Sequence, residues 1–255
     1  MLLSFGAGDF YGVPLVDANG AAITNPTPIK IGVMQEMSLE FSGDVKELHG
    51  SNQYAIAVAR GKVKASGKFK GAQIIGAGLN SLFFGTGVTA GTMNAINTDV
   101  TGSVIPGTPF TVTPTVPASG TWQEDLGVLN SNGVPLTRVA SSPTTGQYSV
   151  AAGVYTFATA DTTQTVYINY RYSYTLAGAK KISLTNVAMG FAPTFKGYMQ
   201  TTFQGKRALV LLSQVTSSKL SLFSTKQDDY NIPEVDFSAM ADSSGTTLGD
   251  IYVQE

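Results

Sequence analysis

The chain contains no cysteine, a single histidine and a single tryptophan among 255 residues. Without cysteine there is no disulfide framework and no thiolate nucleophile or ligand. That absence suits folding in a reducing cytoplasm. One histidine, His49, removes the paired-imidazole zinc sites. It also leaves one candidate base for a Ser-His-Asp triad, and no GxSxG accompanies it. Charge is scarce as well: Asp, Glu, Lys and Arg make up 13% of the chain, against about 25% in typical soluble domains. The formal net charge is -1, so the Lys/Arg surplus of a general nucleic-acid coat is missing. Long apolar runs are also absent. Runs such as Ala208 to Leu212 have the length of a strand, and the opening MLLSFGAGDFYG lacks a basic leader and is too short to cross a bilayer.

What is present favours sheets. Hydrophobic residues make up 43% of the chain, enough to bury a core. From Ile29 to Phe41, apolar residues fill most odd positions while Lys30, Glu36 and Glu40 fall on even ones. That period of two predicts a half-buried strand. A second strand is predicted from Tyr54 to about Phe69. Its apolar parity flips between Val58 and Val63, which places a β-bulge near Arg60-Gly61. Pairing Phe41 with Tyr54, Leu39 with Ile56 and Met37 with Val58 keeps one face apolar. Past the bulge, Val33 then meets Val63, and Glu36 lies near Arg60 and Lys62. The residues between, Ser42 to Gln53, read as an unusually long connector, and such connectors are usually functional or mobile. It carries Asp44, Lys46, Glu47 and His49.

GAQIIGAGLNSLFFG spaces Ile75, Leu79, Leu82 and Phe83 as one face of a short helix packed on the sheet. From Gly71 to Gln123 the only charged residue is Asp99. The aperiodic, proline-bearing stretch Gly85–Gly120 reads as an extended arm. Trp122 to Tyr174, with turn signals at NSNG, SSPTTG, AAG and ADTTQ, reads as a separate small β module. Strands are expected again at Lys181–Val187, Thr194–Gln204, Arg207–Leu212 and Lys219–Phe223. The tail from Asp228 reads as acidic and irregular. The expected organisation is a mostly β protein, a discontinuous β-sandwich or barrel of residues 1–107 and 176–255, with residues 108–175 inserted as the module.

Other patterns carry bland readings. Asp228-Asp229 lacks EF-hand spacing and reads as a solvated turn. GAGDFYG is not a nucleotide-binding GxGxxG and no βαβ unit follows it. The lysines of GKVKASGKFK read as a polar outer face paired with acids rather than a phosphate stripe. Tyr170, Tyr172 and Tyr174 read as core aromatics rather than a stacking platform.

GVMQEMSLEFSGDVKELHGSNQYAIAVARGKVKASGKFK followed by GLNSLFFG resembles the N-terminal part of major tail or tail-tube proteins of long-tailed bacteriophages. The segment from Gly120 to Thr175 is similar to a small module that recurs in phage virion proteins. Together these cover about half the chain. The resemblance implies a tail-tube-like β-sandwich with one packed helix, and six subunits closing into rings that stack around a DNA conduit. The partners it implies are further copies of the chain, other tail proteins and viral DNA passing without specific binding, with no membrane. It implies no catalysis, cofactor or metal. The place it implies is the virion tail, after assembly in the host bacterial cytoplasm. Asp44, Lys46, Glu47 and His49, with the arm Gly85–Gly120, are the expected contacts between rings. Glu36 and Glu40 are the expected lumen lining. Two other readings are a head decoration, connector or baseplate protein, and a carbohydrate-binding β protein using Trp122 and the tyrosines.

Overall fold

The computed structural model describes residues 6, 8–73, 76–223 and 227–254. It is mostly β, with 57% of residues in strands and 5% helical. In chain order the strands are β1 (Asp9–Val16), β2 (Ile29–Ile31), β3 (Met34–His49), β4 (Ala55–Gly71), β5 (Val88–Asn97), β6 (Ser103–Val104), β7 (Thr111–Val112) and β8 (Thr121–Asn130). They continue as β9 (Thr137–Arg138), β10 (Gln147–Ala151), β11 (Val154–Phe157), β12 (Thr165–Ile182), β13 (Thr194–Phe203), β14 (Lys206–Ser221), β15 (Glu234–Met240) and β16 (Gly249–Val253). Two compact units result. One joins Met1–Val88 to Ile182–Glu255, and the other is Thr89–Lys181. The inserted unit therefore opens at Thr89 and not at residue 108, and it closes at Lys181. Gly85–Gly120 is not a free arm. Its strands β5, β6 and β7 belong to the sheets of the inserted unit, and Ile105 within it is fully buried. Proline and missing charge misled the reading there, because both also mark short strands in a sandwich.

The first unit is one eight-stranded sheet in the order β2-β1-β13-β14-β15-β4-β3, with β16 also paired to β14. β2 runs into β3 through Gly32 and Val33, so one piece of chain joins the two ends of the sheet. The sheet closes face to face on itself. The Phe10 ring of β1 stacks on Phe69 of β4 at 4.4 Å between centroids, although three strands separate β1 from β4 in the hydrogen-bonded order. Phe195 and Phe237 complete the aromatic centre, with Ile31, Met199, Leu212, Val215 and Val235 around it. Each such side chain removed from water stabilises the fold by about 1.5–3 kcal/mol.

The helix is shorter and more tightly held than the sequence suggests. α1 covers Gly76–Leu79, and the chain then widens to a π-helical turn over Asn80–Phe84. Leu82 is buried on the sheet, and its carbonyl accepts a hydrogen bond from Ser217 Oγ at 2.8 Å. It presses so close to β1 that a side chain at position 12 would have to push the Leu82 methyl groups aside, and Gly12 leaves that room. Asn80 is buried and accepts from the Thr86 hydroxyl at 2.9 Å, fixing the chain as it leaves the turn. Ile75 lies outside the described residues.

Four other expectations are corrected. Ile29–Phe41 is not one strand: Val33 has a left-handed φ of 47° and is exposed, breaking it into β2 and β3. Lys181–Val187 is not a strand either, since β12 ends at Ile182 and irregular chain follows. Arg207–Leu212 and Lys219–Phe223 are largely one strand, β14. The acidic tail holds β15, whose Val235 and Phe237 point into the core while Glu234 and Asp236 face out. By contrast, QGKR is a tight turn. Gln204 and Gly205 both take positive φ, the geometry of a two-residue type I′ hairpin between Phe203 and Lys206.

The inserted unit has two four-stranded sheets, β7-β11-β10-β9 and one in which β5, β6 and β8 all pair with β12. Its core takes Tyr148, Tyr155 and Phe157 from the first sheet and Val128, Val166, Ile168 and Tyr170 from the second, as a sandwich must. A polar knot sits inside it. Asp125 accepts hydrogen bonds from the Tyr148 hydroxyl at 2.7 Å, the Tyr155 hydroxyl at 3.2 Å and the Gly127 N–H at 3.0 Å. Burial, reinforced by the Asp125 carboxylate, pushes both phenols above the ordinary tyrosine range. A raised folded-state pKa stabilises the fold below the unfolded value, and that stability drains away as pH climbs past it. The inserted unit is therefore expected to lose up to about 1.4 kcal/mol per pH unit for each of the two phenols above about pH 10. Urea unfolding followed at pH 8 and pH 11 checks this, and an unchanged midpoint would refute it.

Candidate assembly surface

The outer face of β3, β4, β15 and β14 is built from alternating columns of acids and lysines. Residues paired across neighbouring strands share a face. Register therefore sets Glu36 opposite Lys70 and Glu234, and Ser38 opposite Lys68, Asp236 and Lys219. Glu36 is the hub: its two oxygens lie 2.8 Å from Lys68 Nζ and 2.6 Å from Lys70 Nζ. Those hydrogen bonds, Lys68 first, hold its carboxyl down at about 2. Lys70 also reaches Glu234 at 3.4 Å, and Lys219 reaches Glu234 and Asp236 at 3.7 Å each. Glu40 joins Lys64, Ser66 and Lys68 in lining a shallow polar groove of about 350 Å3 on this face. Isolated surface pairs contribute only about 0–1 kcal/mol. The consequence of this arrangement is electrostatic: the acids of β3 and β15 neutralise the lysines of β4 and β14 on the same surface.

The sequence reading foresaw acids on one strand pairing with lysines on the next, but chose the wrong lysines. Arg60 and Lys62 are not the partners of Glu36; Lys68 and Lys70 are. β3 does not stop at Phe41 but continues to His49, and β4 starts at Ala55. The observed pairs are Met37 with Phe69, Leu39 with Gly67, Phe41 with Ala65 and Glu47 with Val58. The bulge stands where parity placed it: one step of register is lost where Gly43 to Val45 faces Val63 to Arg60.

The supposed connector is therefore a two-stranded arm. Below Ala65, β4 has no neighbour but β3, so residues Ser42–Lys64 pair only with each other. At roughly 3.4 Å per residue, the arm extends about 25 Å beyond the sheet. All four expected contact residues lie along its first strand and are exposed: Asp44 beside the bulge, Lys46 opposite Ala59, Glu47 opposite Val58, and His49 opposite Ala55 near the turn. Glu47 and His49 hydrogen-bond at 3.1 Å. What the sequence reading missed is apolar. Phe41, Val45, Val58 and Val63 share the face that leads away from the core and stay open to solvent. Tyr54, at the turn, is 85% exposed. The alternation Tyr54, Ile56, Val58 was a readable signal, but it was matched to core residues of β3 instead of to the arm.

Trp122 turns inward. It packs against the core of the inserted unit, and its Nε1 donates to the Tyr155 hydroxyl at 3.3 Å. Tyr170 is buried, and Tyr172 packs against that core. Neither a protein-family model nor a curated protein matches the chain.

Proposed function

We propose that this chain is a virion structural protein, a tail-tube subunit of a long-tailed bacteriophage. It assembles with copies of itself into stacked six-membered rings through which the genome is ejected. The observation that carries the reading is the arm: a long two-stranded ribbon with apolar side chains on its surface that nothing among the described residues covers. Soluble monomers rarely leave so many apolar side chains of one projecting ribbon uncovered, and such a ribbon suits burial against another copy. The order strand, arm, strand, helix is the order in which the sequence resembles tail-tube proteins. A neutralised polar sheet suits a conduit wall, because unpaired lysines there would grip the phosphates of a passing duplex.

Negative-stain electron microscopy of the purified protein at high concentration tests the proposal. Rings or tubes are expected. A monodisperse monomer under all such conditions, together with absence from purified virions, would reject it.

A further inference from the structure

A second uncovered apolar feature lies in the same unit. Phe83, Phe84, Leu184, Val187, Phe191 and Pro193 line a groove of about 260 Å3. The volume falls below the roughly 300–1,000 Å3 of small-molecule pockets and suits one or two side chains. One wall is the irregular stretch Ser183–Ala192. It carries no charged residue, and its regular structure is limited to one turn at Met189-Gly190. Leu184 is 75% exposed and Met189 fully exposed. The opposite wall is firm, the Phe83 and Phe84 rings meeting edge to face at 5.0 Å, and on the first wall the Phe191 ring lies against Gly20.

We infer that this groove receives the arm tip of a second copy of the chain, with Tyr54 as the inserted side chain. The inference rests on the assembly reading above and names the receiving site. Charge argues for this occupant. The tip, Gly50 to Ala59, is as devoid of charge as Ser183–Ala192, whereas the rest of the arm carries Asp44, Lys46, Glu47, Arg60, Lys62 and Lys64. An acidic or basic partner would find nothing in the groove to answer it. Shape agrees: one feature projects and ends in a large exposed aromatic, the other is a recess sized for such a ring. No arm residue lines the groove of its own chain. A contact between two different patches passes from copy to copy, and it builds a ring or filament rather than a closed pair.

The absence of native cysteine makes the test direct. Protein carrying Tyr54→Cys is mixed with protein carrying Phe191→Cys and oxidised mildly. The control replaces Phe191→Cys with a cysteine at the exposed Ser142. The groove pair should crosslink with a roughly tenfold or greater excess over the control pair, as sites held together by docking do. The double variant should give a ladder beyond dimer. Both substituted residues are exposed, and circular dichroism verifies the fold. Rings in the micrographs without the groove crosslink would overturn this inference and leave the tube reading standing. A strong crosslink that stops at dimer would keep the groove contact and remove the tube. Equal crosslinking of groove and control pairs would overturn the groove contact outright.

Discussion

Excision of the arm is expected to abolish assembly while leaving the subunit folded. Ser42 and Lys64 face each other across β3 and β4, so replacing residues 43–63 with Asn-Gly closes the hairpin by the shortest natural turn. No residue of the eight-stranded sheet's core lies in the deleted stretch. The product should sediment as a monomer, keep a β-type far-ultraviolet spectrum reduced only by the lost ribbon, and form no rings. It should also be more soluble, since a long edge ribbon with apolar side chains is a template for non-specific pairing. Rings formed by the shortened chain would show that the subunits meet elsewhere.

Phe10→Ala is expected to be the most damaging single substitution in the eight-stranded sheet's unit. The Phe10 ring is fully buried and touches Phe69, Phe195 and Phe237, which come from strands on both sides of the closed sheet. Removing it takes away the transfer energy and leaves a cavity whose aromatic walls cannot collapse together, a cost of about 3–5 kcal/mol. Marginal domains have total stabilities of only about 5–15 kcal/mol. The variant should therefore unfold at much lower urea concentration, while the inserted unit, which has its own core, keeps its transition. Calorimetry resolving two transitions, only one of them shifted, is the expected record. A shift below 1 kcal/mol would mean that the sheet is not held by this cluster.

The secondary structure class was plain from the sequence because period-two patterning survives errors of detail. The alternation at Met37, Leu39 and Phe41, and again at Val166, Ile168 and Tyr170, needed no tertiary information. Register was less visible. Sliding β3 along β4 by an even number of residues keeps every apolar residue on the same face, and across the one-residue bulge an odd shift does the same, so Leu39 could be matched to Ile56 as well as to Gly67. What settles it is the turn. Gly50–Tyr54 closes the hairpin, and nothing in that run announces a turn as loudly as Asn-Gly would. Gly67 concealed the true partner of Leu39, since a glycine leaves no apolar mark in the pattern.

The surface was legible in part for the same reason. Glu36 could be read as a paired acid, but not that its partners would be Lys68 and Lys70. Asp44, Lys46, Glu47 and His49 attracted attention as polar residues in a presumed loop. Their actual setting is a paired strand whose uncovered apolar neighbours, Val45 and Val58, are the more telling feature. The groove at Phe83 and Phe191 could not have been found, because it joins a helical turn to a segment about a hundred residues later that was read as a strand.

The pairing of β1 with β13 sets Phe10 beside Met199. At ribosomal rates of about 5–20 residues per second, β1, whose other edge meets β2 early, waits roughly ten seconds or more for β13 to be made. By the end of that interval the inserted unit is complete while the enclosing sheet is half built, with Phe10 still lacking Phe195 and Phe237. Chaperone demand should therefore fall on the first ninety or so residues, and slowing translation after the insertion should lower the yield of soluble protein more than slowing it before.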